Sequence, residues 1–210
     1  MSSEDKIGFI LETLKKRYGI RKRKRDPFRT LISTILSQRT RDEQTEKATK
    51  KLFGKYPNAE DLAGGDVEEI ERRIKEVGFY RGKAKKIKEV ARVIHEVYDN
   101  RVPDDLEDLL KLPGVGRKTA NCVLLYGYNI SALPVDTHVH RVSNRIGLVK
   151  TDNPDETELE LEKFLPEELW SNINELFIDF GREICKPIGP KCPECFFNDF
   201  CEHSLKNKKS

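Results

Sequence analysis

A short glycine-containing turn between two apolar-faced segments constrains the fold of this 210-residue chain more than any other feature. The turn lies in residues 112–121, which read Leu-Pro-Gly-Val-Gly-Arg-Lys-Thr-Ala-Asn. Apolar residues recur at helical spacing before it, and again after it as far as Gly127. Pro113 ends the first helix, and Gly114 and Gly116 allow the positive φ angles that a tight reversal needs. The segment therefore predicts a helix-hairpin-helix.

The tip of this hairpin has the chemistry to bind phosphate. Backbone N–H groups at the start of a helix suit an anion, and the helix dipole favours negative charge there. We expect four residues of the tip to contact phosphates without reading bases: Leu112, Gly114, Gly116 and Arg117. Lys118 lies in the first turn of the second helix, where the dipole and Arg117 disfavour an ammonium, so it is a candidate nucleophile. The motif alone leaves open a plain turn with a solvated lysine.

The charge balance and the lack of long apolar runs exclude several classes of protein. With 39 basic and 36 acidic side chains the net charge is only +3, so any nucleic-acid face has to be a local patch. No run of about 18 apolar residues occurs, and the sequence begins without a signal-peptide pattern. We therefore expect an intracellular, cytoplasmic protein without membrane association. The basic block at residues 21–25 is either a solvated linker or a phosphate-contacting arm.

Helical periodicity runs through the chain, and alternating β-branched runs are missing, so the fold should be all-α. Asp26 and Asp42 stand where helix caps belong. Gly78 should end one short helix. Besides the two helices of the hairpin, the pattern predicts a helix beginning at Pro27, one after Asp42, one through Val142 and Ile146, and helices over residues 6–17, 67–77, 80–98, 154–165 and 169–180.

Four of the five cysteines fall within the last 26 residues, in the order Cys185-x6-Cys192-x2-Cys195-x5-Cys201. In a reducing compartment this clustering favours a metal centre over disulfides. Four thiolates in one loop hold either Zn²⁺ or an iron–sulfur cluster, and the spacing by itself does not separate the two. Lys186 and Lys191 flank the loop. A metal that held the loop rigid would let both lysines meet phosphates in a fixed geometry.

Three distant motifs together resemble the endonuclease III family, which are bifunctional DNA glycosylases and abasic-site lyases of the helix-hairpin-helix superfamily. They are the hairpin with its lysine, the Val-Asp-Thr-His segment around Asp136, and the four-cysteine tail. Residues 78–84, Gly-Phe-Tyr-Arg-Gly-Lys-Ala, also match the family's Gly-x-Tyr-x-x-Lys-Ala segment. The likeness extends from about Pro27 to Cys201, which is nearly the whole chain.

The resemblance implies a two-lobed, all-α DNA glycosylase fold with a C-terminal iron–sulfur cluster loop at residues 185–201. One lobe would be a six-helix barrel over residues 22–130, and the other would join residues 1–21 to residues 131–210. The family also implies a [4Fe–4S] cluster on the four cysteines. Its substrate is double-stranded DNA that carries a damaged base or an abasic site. We expect a monomer associated with the nucleoid.

The family's chemistry would assign Lys118 as the nucleophile that attacks C1′ of the sugar and expels an oxidised pyrimidine. Asp136 would assist, although it can also cap the helix that follows it. Elimination from the Schiff base would then cut the strand on the 3′ side. Relatives that only remove bases lack a lysine at this position. The alternatives are a monofunctional mismatch or uracil glycosylase and a non-catalytic DNA-binding module.

A base inside a duplex has to be extruded before it can be excised, and something has to fill the gap. Phe79 stands at the position of the family's apolar wedge, and we favour that role over a place in the core. The second filler is open, because Arg39 stands where the family has a glutamine and Gln38 lies one place earlier. An arginine would favour guanine as the opposite base. His138 and Arg141 are either phosphate contacts or ordinary surface residues.

Overall fold

The computed structural model describes residues 3–20 and 25–207, and every regular element in this part of the chain is helical. The all-α prediction is therefore confirmed. The prediction for the basic block lies outside the described residues, except for Arg25, whose backbone N–H donates to the Tyr126 carbonyl at 2.9 Å. No helix in the described ranges is long and apolar enough to cross a membrane.

The described residues form twelve α-helices, which we number in chain order: α1 (Ser3–Tyr18), α2 (Pro27–Ser37), α3 (Asp42–Phe53), α4 (Ala59–Gly64), α5 (Val67–Arg73), α6 (Tyr80–Val97), α7 (Leu106–Lys111), α8 (Arg117–Cys122), α9 (Thr137–Ile146), α10 (Pro154–Glu162), α11 (Trp170–Glu183) and α12 (Glu202–Asn207). A π-helical segment continues α8 over Val123–Tyr128, and short 3₁₀ turns cover Glu167–Leu169 and Cys192–Glu194.

The chain divides into two compact units. The first, which we call the hairpin unit, is Arg23–Ile130 and carries α2 to α8. The second, the cysteine unit, joins Met1–Lys22 to Ser131–Ser210 and carries α1 and α9 to α12. Each unit has its own apolar core.

Helix α2 forms the centre of the hairpin unit. The Asp26 carboxylate caps it by accepting the Arg29 N–H at 2.8 Å, and Pro27 takes the first helical position, as the sequence predicted. The helix is apolar around most of its surface and packs against α3, α6, α8 and the π-helical segment. Its four fully buried side chains contribute roughly 1.5–3 kcal/mol each through burial: Leu31, Ile32, Ile35 and Leu36.

Two predictions about individual helices need correction, and one helix was not predicted. Asp42 does not cap α3, because Arg41 occupies the cap position and Asp42 is the first helical residue. Helix α5 ends at Arg73 rather than at residue 77, since the chain tightens into a turn in which the Ile74 N–H donates to Glu71 as well as Ile70. Helix α4 was missed because six residues are too few for a periodic pattern.

The cysteine unit is built around α11, which packs against α1 and α9. Ile173, Phe177 and Phe180 are buried in its core, as the sequence predicted. Trp170, which was also expected in the core, is only partly buried at its edge. Its indole N–H donates to the Leu165 carbonyl at 3.2 Å, which satisfies the polar end of the ring.

Candidate functional site

The helix-hairpin-helix is present, and its turn is fixed by one glycine rather than two. Helix α7 ends at Lys111, and the carbonyl of the capping residue, Leu112, accepts the Val115 N–H at 3.1 Å. Gly114 has φ +68°, whereas Gly116 has φ −101° and ψ 174°, an extended conformation. The prediction of a positive φ was therefore correct for Gly114 and wrong for Gly116. Leu112 is buried, with 2% of the residue exposed, so it is the least accessible of the four predicted phosphate contacts at the tip.

The two glycines also differ in what surrounds them. A Cβ atom built on Gly114 would lie 2.7 Å from the Lys86 Nζ, whereas a Cβ on Gly116 would meet nothing within 4 Å. Gly116 therefore leaves the backbone at the tip accessible to a ligand. Lys86, on α6, adds a cation beside the tip that the sequence analysis did not single out. The basic face of α6 was its only signal.

Lys118 is the second residue of α8, in the first helical turn where the sequence placed it, and its side chain is partly exposed. The carbonyl of the capping residue, Gly116, accepts the N–H groups of Thr119 and Ala120 at 2.9 and 3.0 Å. Both of these residues are buried, so they anchor the turn that carries the lysine. The amine is thus held on a fixed backbone with an exposed approach.

Arg39 and Phe79 lie together at the surface of the hairpin unit. The Arg39 guanidinium carbon is 5.9 Å from the centre of the Phe79 ring, a cation–π arrangement. Phe79 is 70% exposed, so the alternative that it belongs to the core is wrong. Both residues have left-handed backbones, with φ 51° and 57°. That conformation costs an L-residue about 1–2 kcal/mol, and such strain is concentrated at functional sites.

Gln38, the other candidate for filling the gap in the duplex, is also exposed, but its backbone carbonyl accepts two hydrogen bonds from neighbouring side chains. Its carbonyl accepts the Lys83 ammonium at 2.5 Å and the Thr40 hydroxyl at 3.2 Å. The Arg39 guanidinium, by contrast, lies over the Phe79 ring. The geometry therefore favours Arg39 as the partner of Phe79.

Asp136 caps α9, as one of its two predicted roles required. Its Oδ1 accepts the backbone N–H groups of His138 and Val139 at 2.8 and 2.9 Å. The residue is half-buried. Asp136 lies in the cysteine unit and Lys118 in the hairpin unit.

Arg141 has a structural role within the cysteine unit. Its Nε donates to the Cys185 carbonyl at 3.0 Å, and its Nη2 donates to the Gly181 carbonyl at 2.9 Å and lies 3.1 Å from the His138 Nδ1. Burial lowers the pKa of the guanidinium. These contacts tie α9 to the start of the cysteine loop. Arg141 therefore has a structural role and lies directly beside His138, while the phosphate contacts of both residues stay predictions.

The four clustered cysteines line a single cavity of about 20 Å³, and all of them are free thiols. Burial raises the pKa of the Cys185 thiol, and it raises that of Cys195 to about 11. Binding a cation here would therefore displace protons from sulfur. No three His, Cys, Asp or Glu side chains in the described part of the chain are arranged to hold a single metal ion.

The chain around these cysteines is held by Arg145 of α9. Its Nη1 donates to the Lys186 carbonyl at 2.6 Å and lies 3.7 Å from the Cys185 Sγ, and its Nη2 donates to the Pro187 carbonyl at 3.0 Å. The Lys186 and Lys191 side chains are exposed. Lys191 lies 3.6 Å from Glu194, an exposed ion pair that contributes little.

Comparison with known proteins agrees with this combination of hairpin, lysine and cysteine loop. Residues 32–167 match the family described as HhH-GPD superfamily base excision DNA repair protein. The chain is 58% identical to endonuclease III of Thermotoga maritima over 92% of its own length and 91% of the relative's. It is 40% identical to endonuclease III of Bacillus subtilis over 88% and 84%.

Solved structures give the same result. A trapped endonuclease III–DNA covalent intermediate aligns over 99% of both chains, with a TM-score of 0.91 and 37% identity. A thermostable thymine-DNA glycosylase aligns over 97% of both chains, with a TM-score of 0.85 and 31% identity. The fold and site thus define a helix-hairpin-helix base excision repair protein. Within that superfamily, the chain belongs to the endonuclease III family.

Proposed function

We propose that this protein is a bifunctional DNA glycosylase and abasic-site lyase that removes oxidised pyrimidines from double-stranded DNA and cuts the strand 3′ to the lesion. The observation that carries the proposal is Lys118, an accessible amine in the first turn of the helix that follows the hairpin. The similar endonuclease III structure that was trapped as a covalent intermediate with DNA supports a covalent step. The protein would act as a monomer on chromosomal DNA, in the cytoplasm and nucleoid.

The reaction begins with the neutral Lys118 amine, whose lone pair attacks C1′ of the damaged nucleotide. The bond between C1′ and the base breaks, and the base leaves with the bonding electrons and takes up a proton. The attached amine loses a proton, and the bond between C1′ and O4′ breaks while O4′ takes up a proton, which opens the sugar ring and gives a protonated Schiff base. Its iminium acidifies the C2′ proton, and removal of that proton expels the 3′ phosphate.

Asp136 is proposed to stabilise the positive charge that develops on the sugar and to move protons. The structure lets the cap and the chemistry coexist on one carboxylate. Both capping hydrogen bonds end on Oδ1, which leaves the lone pairs of Oδ2 for the substrate. The cap also fixes the orientation of the group, so that it needs no rearrangement during the reaction.

Phe79 and Arg39 are proposed to fill the gap left by the extruded nucleotide. An exposed aromatic ring on a strained backbone can enter the base stack without first leaving a core. The Arg39 guanidinium can donate two hydrogen bonds to a guanine edge, so the orphaned base would preferably be guanine. The hairpin tip, with Gly114, Gly116 and Arg117, would grip the phosphate backbone.

The four cysteines are proposed to hold a [4Fe–4S] cluster, as the family implies. Two observations support the fit: all four thiols share one cavity, and the Phe197 N–H lies 3.5 Å from the Cys195 Sγ, where it can donate to a thiolate. When bound, the cluster would tie the loop together at four points and present Lys186 and Lys191 to phosphates. Iron and sulfide analysis with visible absorbance tests this, and zinc without iron would contradict it.

The activity is tested with purified protein on duplexes that carry thymine glycol, uracil, an abasic site or a G·T mismatch. We expect base release and strand cutting on thymine glycol, and strand cutting on the abasic duplex. An inactive protein that binds all four duplexes equally would instead indicate a DNA-binding module.

The similarity to a thymine-DNA glycosylase favours one second candidate, a monofunctional mismatch or uracil glycosylase. Its signature would be release of thymine or uracil without strand cutting. Lys118 argues against it, because relatives of that kind lack a lysine at this position.

A further inference from the structure

Lys83 is a nearly buried lysine that the proposed reaction does not use. It lies on α6, its residue is 7% exposed, and no acidic side chain of the described residues pairs with it. Burial, with a smaller contribution from Lys86, lowers its pKa to about 8. An ammonium is costly to bury without a counter-ion, and such buried, pKa-shifted groups occur preferentially at functional sites.

The ammonium is fully used as a hydrogen-bond donor. Its three N–H groups point to the carbonyls of Leu36 and Gln38 and to the Thr40 hydroxyl, at 2.7, 2.5 and 2.9 Å. These acceptors lie on both sides of Arg39 in the sequence. Lys83 therefore fixes the backbone immediately before and after the residue that has φ 51°.

The Thr40 hydroxyl extends this network to the segment that carries Phe79. It accepts the Gly78 N–H at 3.1 Å as well as the Lys83 ammonium, and it donates to the Gln38 carbonyl. The two backbones also touch, because a Cβ atom on Gly78 would lie 2.9 Å from the Arg39 carbonyl oxygen. One ammonium and one hydroxyl thus join two segments about forty residues apart in the chain.

We propose that Lys83 is a positioning residue that locks the Gln38–Thr40 segment to the Gly78–Phe79 segment, so that Arg39 and Phe79 enter the duplex as one preformed wedge. The inference rests on the proposed function, which assigns these two side chains to the gap. Its physical basis is that two left-handed backbones persist only where their surroundings fix them. Without the ammonium, the two segments would become ordered only when DNA binds. The free-energy cost of that ordering would weaken extrusion of the nucleotide and every later step that needs it.

The test uses the full-length protein and a duplex with a tetrahydrofuran abasic analogue beside 2-aminopurine, whose fluorescence rises when the base unstacks. Wild-type protein should raise the signal. Lys83→Met removes all three hydrogen bonds and should lower the apparent extrusion constant at least about tenfold, since a single charge-assisted hydrogen bond already corresponds to about that factor. Lys85→Met, which removes an exposed charge from the same helix, should behave as the wild type.

A second readout separates a wedge defect from general damage. Borohydride trapping on single-stranded abasic DNA needs Lys118 but no gap filling. Lys83→Met should therefore trap on single strands at about the wild-type rate and on duplex abasic DNA much more slowly. Equal loss on both substrates would overturn the positioning role, and so would an unchanged fluorescence response.

Thr40 provides the variant that decides the question if Lys83→Met does not fold. Thr40→Val removes the bridging hydroxyl from a half-buried side chain, and Thr40→Ser restores it. We expect Thr40→Val to reduce extrusion and Thr40→Ser to recover it. If Thr40→Val extrudes normally, the two segments are not coupled and the inference is wrong. If the wild type itself gives no signal, the assignment of the wedge in the proposed function fails first, and the inference fails with it.

Discussion

Asp136 has one observed role and one proposed role, which a single pair of substitutions can separate. As the cap of α9 it accepts two backbone N–H groups, and as a carboxylate it would support the charged sugar. Asparagine caps helices about as well as aspartate, whereas alanine does not. Asp136→Asn should therefore keep the fold and lose the charge, and Asp136→Ala should lose both.

We expect the two substitutions to differ in their loss of stability and to agree in their loss of base-release rate. Losing the cap in Asp136→Ala should cost about 1 kcal/mol, which corresponds to a fall in Tm of roughly 2–4 °C for a chain of this size. In Asp136→Asn only the interaction of the charge with the helix dipole is lost, about 0.3–1 kcal/mol, so its Tm should fall less. Both variants should release base at least about 100-fold more slowly, because each lacks the carboxylate.

The measurements are thermal unfolding by circular dichroism and single-turnover base release from thymine glycol duplexes. Single-turnover conditions keep product release out of the rate. Full activity in Asp136→Asn together with a lower Tm in Asp136→Ala would show that Asp136 is only a cap. Equal Tm values in the two variants would show that the Asp136 cap does not stabilise α9.

Three further predictions follow from the hairpin and from Lys83. Gly114→Ala should destabilise the protein by about 1–2 kcal/mol, because the backbone of Gly114 has φ +68°. Gly116→Ala should mainly weaken DNA binding, because Gly116 has an extended backbone and open space around it. Gly114→Ala should therefore be the less stable variant in chemical denaturation, and Gly116→Ala the weaker binder in titration with duplex DNA. The pKa of Lys83 falls from 10.5 to about 8 on folding, so the unfolded chain binds more protons than the folded chain between those pH values, and the free energy of unfolding should rise with pH in that window. This rise with pH should be smaller in Lys83→Met. An identical pH dependence in the variant would contradict the lowered pKa of Lys83. Affinity for DNA should fall steeply with added salt, since phosphate contacts dominate, and an affinity insensitive to salt would rule out the phosphate grip.

Much of the fold was predictable, because long amphipathic helices can be recognised from the periodic spacing of their apolar residues. Helix α6 was predicted to within one residue at its end. Short elements were not predictable: α4 is a single capped stretch of six residues, and the early end of α5 depends on a local turn. The core positions of Ile173 and Phe177 were predictable from spacing, whereas the edge position of Trp170 depends on a hydrogen bond to Leu165.

Local features of the site were predictable from the residue type at one position. The place of Lys118 in the first turn of α8 and the helix cap at Asp136 are of this kind. The contacts of Arg141 were not, since they join α9 to carbonyls about forty residues further along the chain. The hydrogen bonds of Lys83 could not be predicted either, because the sequence of a basic helix does not show which of its lysines is buried.

Borohydride trapping on a duplex that contains an abasic site shows whether Lys118 forms a Schiff base with DNA. We expect a covalent protein–DNA adduct with the wild type and none with Lys118→Gln. The matched control is Lys111→Gln, which removes an exposed lysine of α7 that pairs with Asp108 at 2.5 Å, and it should trap normally. An adduct that survives in Lys118→Gln, or none with the wild type, would contradict the assignment.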